Sequence, residues 1–421
     1  MGYLSAMKSK YWMLAILYFV QGLPYGFQLN ALPVYLRAEG VSLAGIGMAG
    51  ALSLPWILKV IWGPAVDRYG SSRFGRRKSW IVPLQALLAL VCLAASMVEP
   101  SRGLMMLLVL VFTMNLFAST MDVAVDGLAV DVLRPHELGY GNIAQVVGYK
   151  VGMLTGGGLL IQLSPHLGWS GIFVAMGTLV LVALALTLTV RERGARLARA
   201  DVAGEGTEIP GPSMGRILTV LAGSLKRPGA LWVLLFIATY KLGEAMADTM
   251  FKPFLYDVGY SAEQIGLWVG TYGLVFSLLG SCLGGVAASR FGVFRAVAGA
   301  AVLRALAVGG EWWLSLVEPT TGRVVAVITA EQCFGGALTT AIFAFMMSRV
   351  DRSIGATHFT FLATVEVAGK LAAAWISGFV AQSLGYSSLF GLATGLAVAF
   401  LVLLYPISKT EPGSLNRTEM S

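Results

Sequence analysis

The chain has 421 residues, of which 57% are hydrophobic and only 12% charged, and its mean hydropathy is +0.75; this balance excludes an ordinary water-soluble domain, where about 25% of residues are charged. The net charge of +8 does not point to nucleic acid, because the basic residues fall in short loops between apolar runs, where they orient a chain during membrane insertion. No strand-length alternation runs through the sequence, so a barrel is excluded and an all-α integral membrane protein is expected.

In chain order, Lys8 and Lys10 precede a long apolar run with no small-residue cleavage site, which reads as an uncleaved first span with a cytoplasmic N-terminus. Hydropathy, punctuated by Gly, Pro and charge, predicts spans near 11–36, 42–66, 80–98, 103–130, 142–164 and 170–190. A second set is predicted near 229–256, 262–288, 294–316, 323–349, 357–383 and 387–408. Outside the spans, Lys and Arg gather on the side of the N-terminus, whereas the opposite side holds Arg37, Arg102 and Arg323. The positive-inside rule then places both termini in the cytoplasm, which requires an even number of spans and is met by twelve.

Span one contains Gln21-Gly-Leu-Pro-Tyr25-Gly-Phe-Gln28. Proline and two glycines weaken the helix at mid-membrane depth, leaving Gln21, Tyr25 and Gln28 as candidate ligand contacts; a kink used only for packing is the alternative. After span two the chain reads Gly63-Pro-Ala-Val-Asp67-Arg68-Tyr-Gly70, followed by Arg73, Arg76 and Arg77. Here Asp67, Arg68, Arg76 and Arg77 can form charge-assisted bonds to neighbouring helix ends and latch the cytoplasmic side; a basic loop that serves topology alone is the alternative. Span four carries Asp122 and Asp126, one helical turn apart on one face, and span five adds Lys150, which could neutralise one of the two. A proton pathway and a structural ion-pair cluster both fit this group. Gly148, Gly152 and Gly156 recur every fourth residue in span five and read as a close-packing face.

The longest hydrophilic stretch, Arg191 to Arg227, separates the two sets of spans and carries Arg193, Arg196, Arg199, Asp201, Glu205 and Glu208. Within it Met214, Ile217, Leu218 and Leu221 follow helical spacing beside Arg216, as in a helix lying on the cytoplasmic membrane surface; a solvated turn is the other reading. The expected division is therefore a six-helix bundle over 1–190, a linker over 191–228, and a second six-helix bundle with a short tail over 229–421.

Span seven aligns Lys241, Glu244, Asp248 and Lys252 in one polar stripe that cannot face lipid; it lines a cavity or its members pair along the helix. After span eight, Gly285-Val-Ala-Ala-Ser289-Arg290-Phe-Gly292 repeats the Gly63–Gly70 pattern about half the chain later, which adds Arg290 to the latch. Arg304 and Glu311 in span nine, usually a peripheral helix, are expected to be structural, whereas Glu331 in span ten and Glu366 with Lys370 in span eleven are expected to face the pathway. His136 and His166 fall in loops, and His358 begins span eleven as a cap or a proton carrier. Cys92, Cys282 and Cys333 read as small core residues. No Walker loop, metal cluster or nucleophile with a base is present, so no cofactor is expected and both enzyme chemistry and ATP-driven transport by this chain alone are set aside.

The loop from Asp67 to Lys78 resembles the signature loop of the major facilitator superfamily, whose members are built from duplicated six-helix halves with a substrate site near the midplane. The runs Gly22-Leu-Pro24, Lys59-Val-Ile-Trp62-Gly63-Pro64, Asp122-x-x-x-Asp126, Asp131-Val-Leu133, Val147-Gly-Tyr-Lys150-Val-Gly-Met-Leu154 and Lys241-Leu-Gly-Glu244 together resemble one branch. That branch is the AmpG-type muropeptide permeases with the acetyl-coenzyme A transporters and siderophore permeases. The resemblance implies proton-linked import of a peptide-like or amphipathic solute across the inner membrane, with siderophore or acetyl-coenzyme A cargo as alternatives. The partners expected are the solute, protons and membrane lipid, with no nucleic acid, and the chain is expected to act as a monomer. A non-transporting membrane sensor or assembly factor is the rival from another class; it would call for a large soluble domain, which the sequence does not contain.

Overall fold

The computed structural model describes residues 2–33, 36, 49–71, 75–98, 100–189 and 212–409. Arg37, Arg73, the linker positions from Arg191 to Glu208 and the tail after Lys409 lie outside the described residues. Helix is the only repeating structure among the described residues, with one lone bridge between Ser71 and Gly75.

Eight helical stretches among the described residues are long and apolar enough to cross a bilayer, from Lys78–Ser96 through Arg352–Lys409. Within the last of these, Gly385 has φ 81°, a left-handed backbone that favours glycine, and it divides spans eleven and twelve. Spans one, two and five are helical but interrupted. Span one is Gly2–Gly26 followed by a π-helical turn, Phe27–Ala31. The described part of span two is a series of short pieces: Ala49–Ser53, Leu54–Leu58, Lys59–Ile61 and Gly63–Arg68. Span five runs Leu138–Leu154 and then a π-helical turn, Thr155–Leu159, where three consecutive glycines supply little side-chain packing. This pattern fits the twelve-span plan.

The chain forms two compact units. The first comprises Met1–Leu133, Ala144–Val220 and Val350–Thr360; the second comprises Arg134–Ile143, Leu221–Arg349 and Phe361–Ser421. Each unit thus takes a short segment from the far half of the sequence.

In the first unit, span one packs on span four and on the π-turn of span five. Lipid gives apolar helices no hydrophobic reason to associate, so close van der Waals contact must do so. The glycines of span five supply that contact. A Cβ on Gly148 would strike the carbonyl of Ala15, one on Gly152 that of Phe19, and one on Gly156 that of Leu23. Span one answers with Gly22 and Gly26, whose added Cβ atoms would meet the backbone of Tyr149 and Met153. In the second unit spans eight and ten cross the same way, with Gly280 against Cys333 and Gly336 against Ser277. An aromatic and aliphatic core that includes Phe251, Phe254, Phe390, Ile328 and Val308 fills the space between spans seven, nine, ten and twelve.

Span seven is not one helix. It breaks at Tyr240 and Lys241 between Ala230–Thr239 and Leu242–Asp257. Span eight also opens with a π-helical turn, Gly266–Tyr272. Helical turns of this type often mark functional positions, and neither break is expected from the sequence. After the undescribed part of the linker, Met214–Leu225 is a helix whose Ile217 is buried while Leu218 and Arg216 are exposed.

Candidate functional site

Span four, helix Pro100–Val132, brings Asp122 and Asp126 onto one face inside the first unit. Both are buried. Asp122 forms an ion pair with Lys59 of span two, itself buried. The Lys59 ammonium also lies 5.7 Å from the Trp56 ring, and the Trp56 indole donates to the Asn115 side chain at 2.9 Å. One carboxylate oxygen of Asp126 accepts from the Tyr18 hydroxyl at 2.7 Å and from Gln145 at 3.2 Å. The cluster therefore joins spans one, two, four and five.

Lys150 is the cation that the sequence sets beside these aspartates, and Lys59 adds an ion pair at Asp122. The signal was available, since Lys59 is equally a lysine inside an apolar span. Tyr18 and Gln145 carried no such signal, because uncharged residues in a span are common. Of the span-one candidates, Gln21 is fully buried with no hydrogen-bond partner for its amide among the described residues. Tyr25 packs edge-on against Trp56 at 5.3 Å and near Tyr149 at 6.0 Å. Gln28 donates to Ser53 at 2.7 Å. The helix stays α-helical through Pro24 and Gly26, and its irregular turn begins only at Phe27.

The loop after span two forms a second cluster in the same unit. Asp67 and Arg77 are both fully buried and pair at 2.8 Å, and Arg77 reaches Asp131 at 3.0 Å. Arg76 also reaches Asp131, at 3.5 Å. The Asp67 carboxylate accepts from the amides of Ala356 and Thr357, at 3.3 and 2.7 Å, and from the Thr357 hydroxyl at 2.6 Å. It thereby satisfies donors left over at the start of helix Gly355–Leu401, where a negative charge is favoured. Arg352 adds a bond to the Leu133 carbonyl at 2.6 Å. His358 accepts from the Asp351 amide at 3.0 Å, the position of a cap. Arg68 is exposed and lies over the Tyr69 ring.

The repeated motif in the second unit does the analogous work with a neutral group. Ser289, which stands where the first copy has Asp67, accepts from the Tyr140 amide at 3.2 Å near the start of span five, and Gly139 sits against the Gly285 carbonyl. Arg290 is exposed at the end of span eight.

A third cluster lies in the second unit around Arg304. This guanidinium contacts Glu244 at 3.2 Å, Asp248 at 3.3 Å and Glu331 at 2.8 Å. It also donates to the Glu331 backbone carbonyl at 2.6 Å. The span-seven stripe therefore pairs mainly across to span nine rather than along its own helix. Lys241, at the break in span seven, reaches Glu366 at 3.7 Å, and Glu366 also engages Lys370 at 3.3 Å and the Tyr240 hydroxyl at 3.2 Å. Lys252 is exposed. Arg304, expected from the sequence to be structural, links spans seven, nine and ten through these ion pairs.

A family model described as acetyl-coenzyme A transporter 1 matches residues 10–102 and 99–166. An anhydromuropeptide permease of Escherichia coli strain K12 is 29% identical over 399 residues, covering 94% of this chain and 79% of the relative. A putative transporter AmpG 4 of Rickettsia conorii is 26% identical over 396 residues, covering 93% and 94%. Among solved structures, a bacterial homologue of the iron transporter ferroportin in an outward-facing state superposes with a TM-score of 0.69 at 15% identity, over 95% of this chain and 99% of that one. The proton:xylose symporter XylE, a major facilitator superfamily protein, superposes with a TM-score of 0.65 at 11% identity, over 94% and 96%.

Proposed function

We propose that this chain, a multi-pass membrane transporter of the major facilitator superfamily and of the AmpG and acetyl-coenzyme A transporter type, imports a muropeptide-like solute together with protons by alternating access. The solute class is supported by the likeness to the anhydromuropeptide permease along 94% of this chain. The inner membrane is the expected location, with both termini in the cytoplasm.

The observation that carries the coupling is the Asp122 and Asp126 cluster. Two carboxylates one turn apart face Lys59, whose ammonium pairs with Asp122. A negative charge left over in a low-dielectric setting is costly, and a proton on the pair removes it. Facing the more acidic side the pair gains that proton, and solute binding favours the protonated state. Facing the cytoplasm it releases both. Tyr18 and Gln145 position Asp126 for this exchange from spans one and five, so a change in its charge is felt by two neighbouring helices. Asp67, Arg77 and the start of span eleven act as the latch.

An acyl-coenzyme A solute is the second reading, favoured by the family model over residues 10–102 and 99–166. Thermal unfolding of the purified protein with anhydromuropeptides, coenzyme A esters, siderophores and short peptides separates the two. A ligand at 100 times its Kd stabilises by about 2.7 kcal/mol. Stabilisation by an anhydromuropeptide is expected; stabilisation by a coenzyme A ester alone would replace the first reading with the second.

A further inference from the structure

Span nine carries an acid that the transport scheme leaves unused. Glu311, on helix Val293–Leu316, is 0% exposed, and neither of its carboxylate oxygens has a hydrogen-bond partner among the described residues. One of those oxygens lies within 4.8 Å of carboxylate oxygens of both Asp248 and Glu331. The charged groups that bear on it are Asp248 and Glu244 from span seven, Glu331 from span ten, and Arg304 on its own helix. Arg304 is already engaged by Glu244, Asp248 and Glu331. Lys241 is drawn to Glu244 and to Glu366, the latter at 3.7 Å. An ionised carboxylate sealed among other carboxylates, with no donor of its own, is far more costly than the neutral acid.

A metal ion would also offset the excess negative charge. However, Glu331 already accepts from Arg304 on one oxygen at 2.8 Å and from Gln332 on the other at 2.6 Å, and the Arg304 guanidinium also engages Asp248 at 3.3 Å. A proton needs no shell of ligands.

We propose that Glu311 binds an exchangeable proton, shared with Asp248 and Glu331, so that the second unit holds a protonation site of its own apart from Asp122 and Asp126. The bond made on loading is an O–H bond at one Glu311 oxygen, and the same bond breaks on release. The proton arrives through Asp248, whose side chain at 44% exposure is the open end of the group, and leaves by the same carboxylate. With the proton present, Glu311 is neutral and donates to a neighbouring carboxylate. Without it, Glu311 adds a negative charge to the group around Arg304, so loading changes the forces that hold spans seven, nine and ten together. Only this consequence rests on the transporter reading, because the proton itself is measurable without any solute.

Infrared spectroscopy of the purified protein in lipid at neutral pH tests the site. The difference between the wild-type spectrum and that of Glu311→Gln, which keeps the shape and removes the acid, is expected to contain the carbonyl band of a protonated carboxyl group. A difference spectrum without that band overturns the proposal. If Glu311→Gln does not fold, Asp248→Asn at the exposed end of the group is expected to shift the band in frequency, and an unshifted band overturns it too. Loss of the wild-type band on adding Mg2+, Mn2+ or Zn2+ at neutral pH would make the site a metal site instead. Failure of the Asp122 and Asp126 scheme would appear as unaltered gradient dependence in those variants and would leave this band in place.

Discussion

Lys59 and Asp122 illustrate how a buried charge pair is weighed in this molecule. Both are nearly sealed from solvent, and breaking such a buried pair by removing one partner costs about 3–5 kcal/mol. Asp122→Asn should therefore lower unfolding stability by that order, whereas the double change Lys59→Met with Asp122→Leu should cost much less, and denaturant unfolding in detergent measures both. Equal losses in the single and double variants would mean that the pair does not matter to stability. The aspartates were legible in the sequence because any acid in an apolar span is conspicuous and a four-residue spacing fixes a shared face. Lys59 was conspicuous as a lysine in an apolar span, but its partner was not legible, because it lies 63 positions from Asp122 and only the packing of span two on span four brings them together. Arg304 shows the same limit, since its three carboxylate partners come from two other spans.

At the scale of elements, two devices join helices: glycine faces and capped helix ends. The glycine face of span five was legible from its spacing alone, but its partner was not, because Gly22 and Gly26 of span one sit in a stretch that also reads as a proline kink. Gly152→Leu should force spans one and five apart at the Phe19 carbonyl, at a cost of about 1–3 kcal/mol or more. A lowered unfolding temperature checks this, and an unchanged one would contradict the packing. The second device gives a local test. Asp67→Ala removes the acceptor for the Ala356 and Thr357 amides, and losses at such capping positions run about 0.5–2 kcal/mol. Hydrogen exchange at the start of span eleven should then quicken by roughly tenfold, while exchange in span three stays as it was. The π-helical turn of span eight had no sequence signal beyond scattered glycines, since such a turn adds about one residue per turn without changing hydropathy, and the break of span seven at Tyr240 and Lys241 had none either.

For the whole molecule, the repeat of Gly63–Gly70 at Gly285–Gly292 made the duplicated architecture readable before any contact was known. What the repeat did not disclose is that its two copies use different chemistry, a carboxylate in one and a hydroxyl in the other, to hold a helix start. Orientation follows from the distribution of Lys and Arg: with the native cysteines replaced, Arg68→Cys and Arg216→Cys should resist an impermeant thiol reagent added outside intact cells and react once the cells are opened. Labelling from outside would invert the topology.

Accumulation of solute in proteoliposomes reports whether its movement is coupled to protons. Wild-type protein should concentrate a labelled anhydromuropeptide when an inward proton gradient is imposed and lose that accumulation when the gradient is collapsed. Asp122→Asn and Asp126→Asn, if folded, should still exchange labelled for unlabelled solute but should not concentrate it. Accumulation by either variant with the wild-type dependence on the gradient, or none by the wild-type protein, would contradict the account.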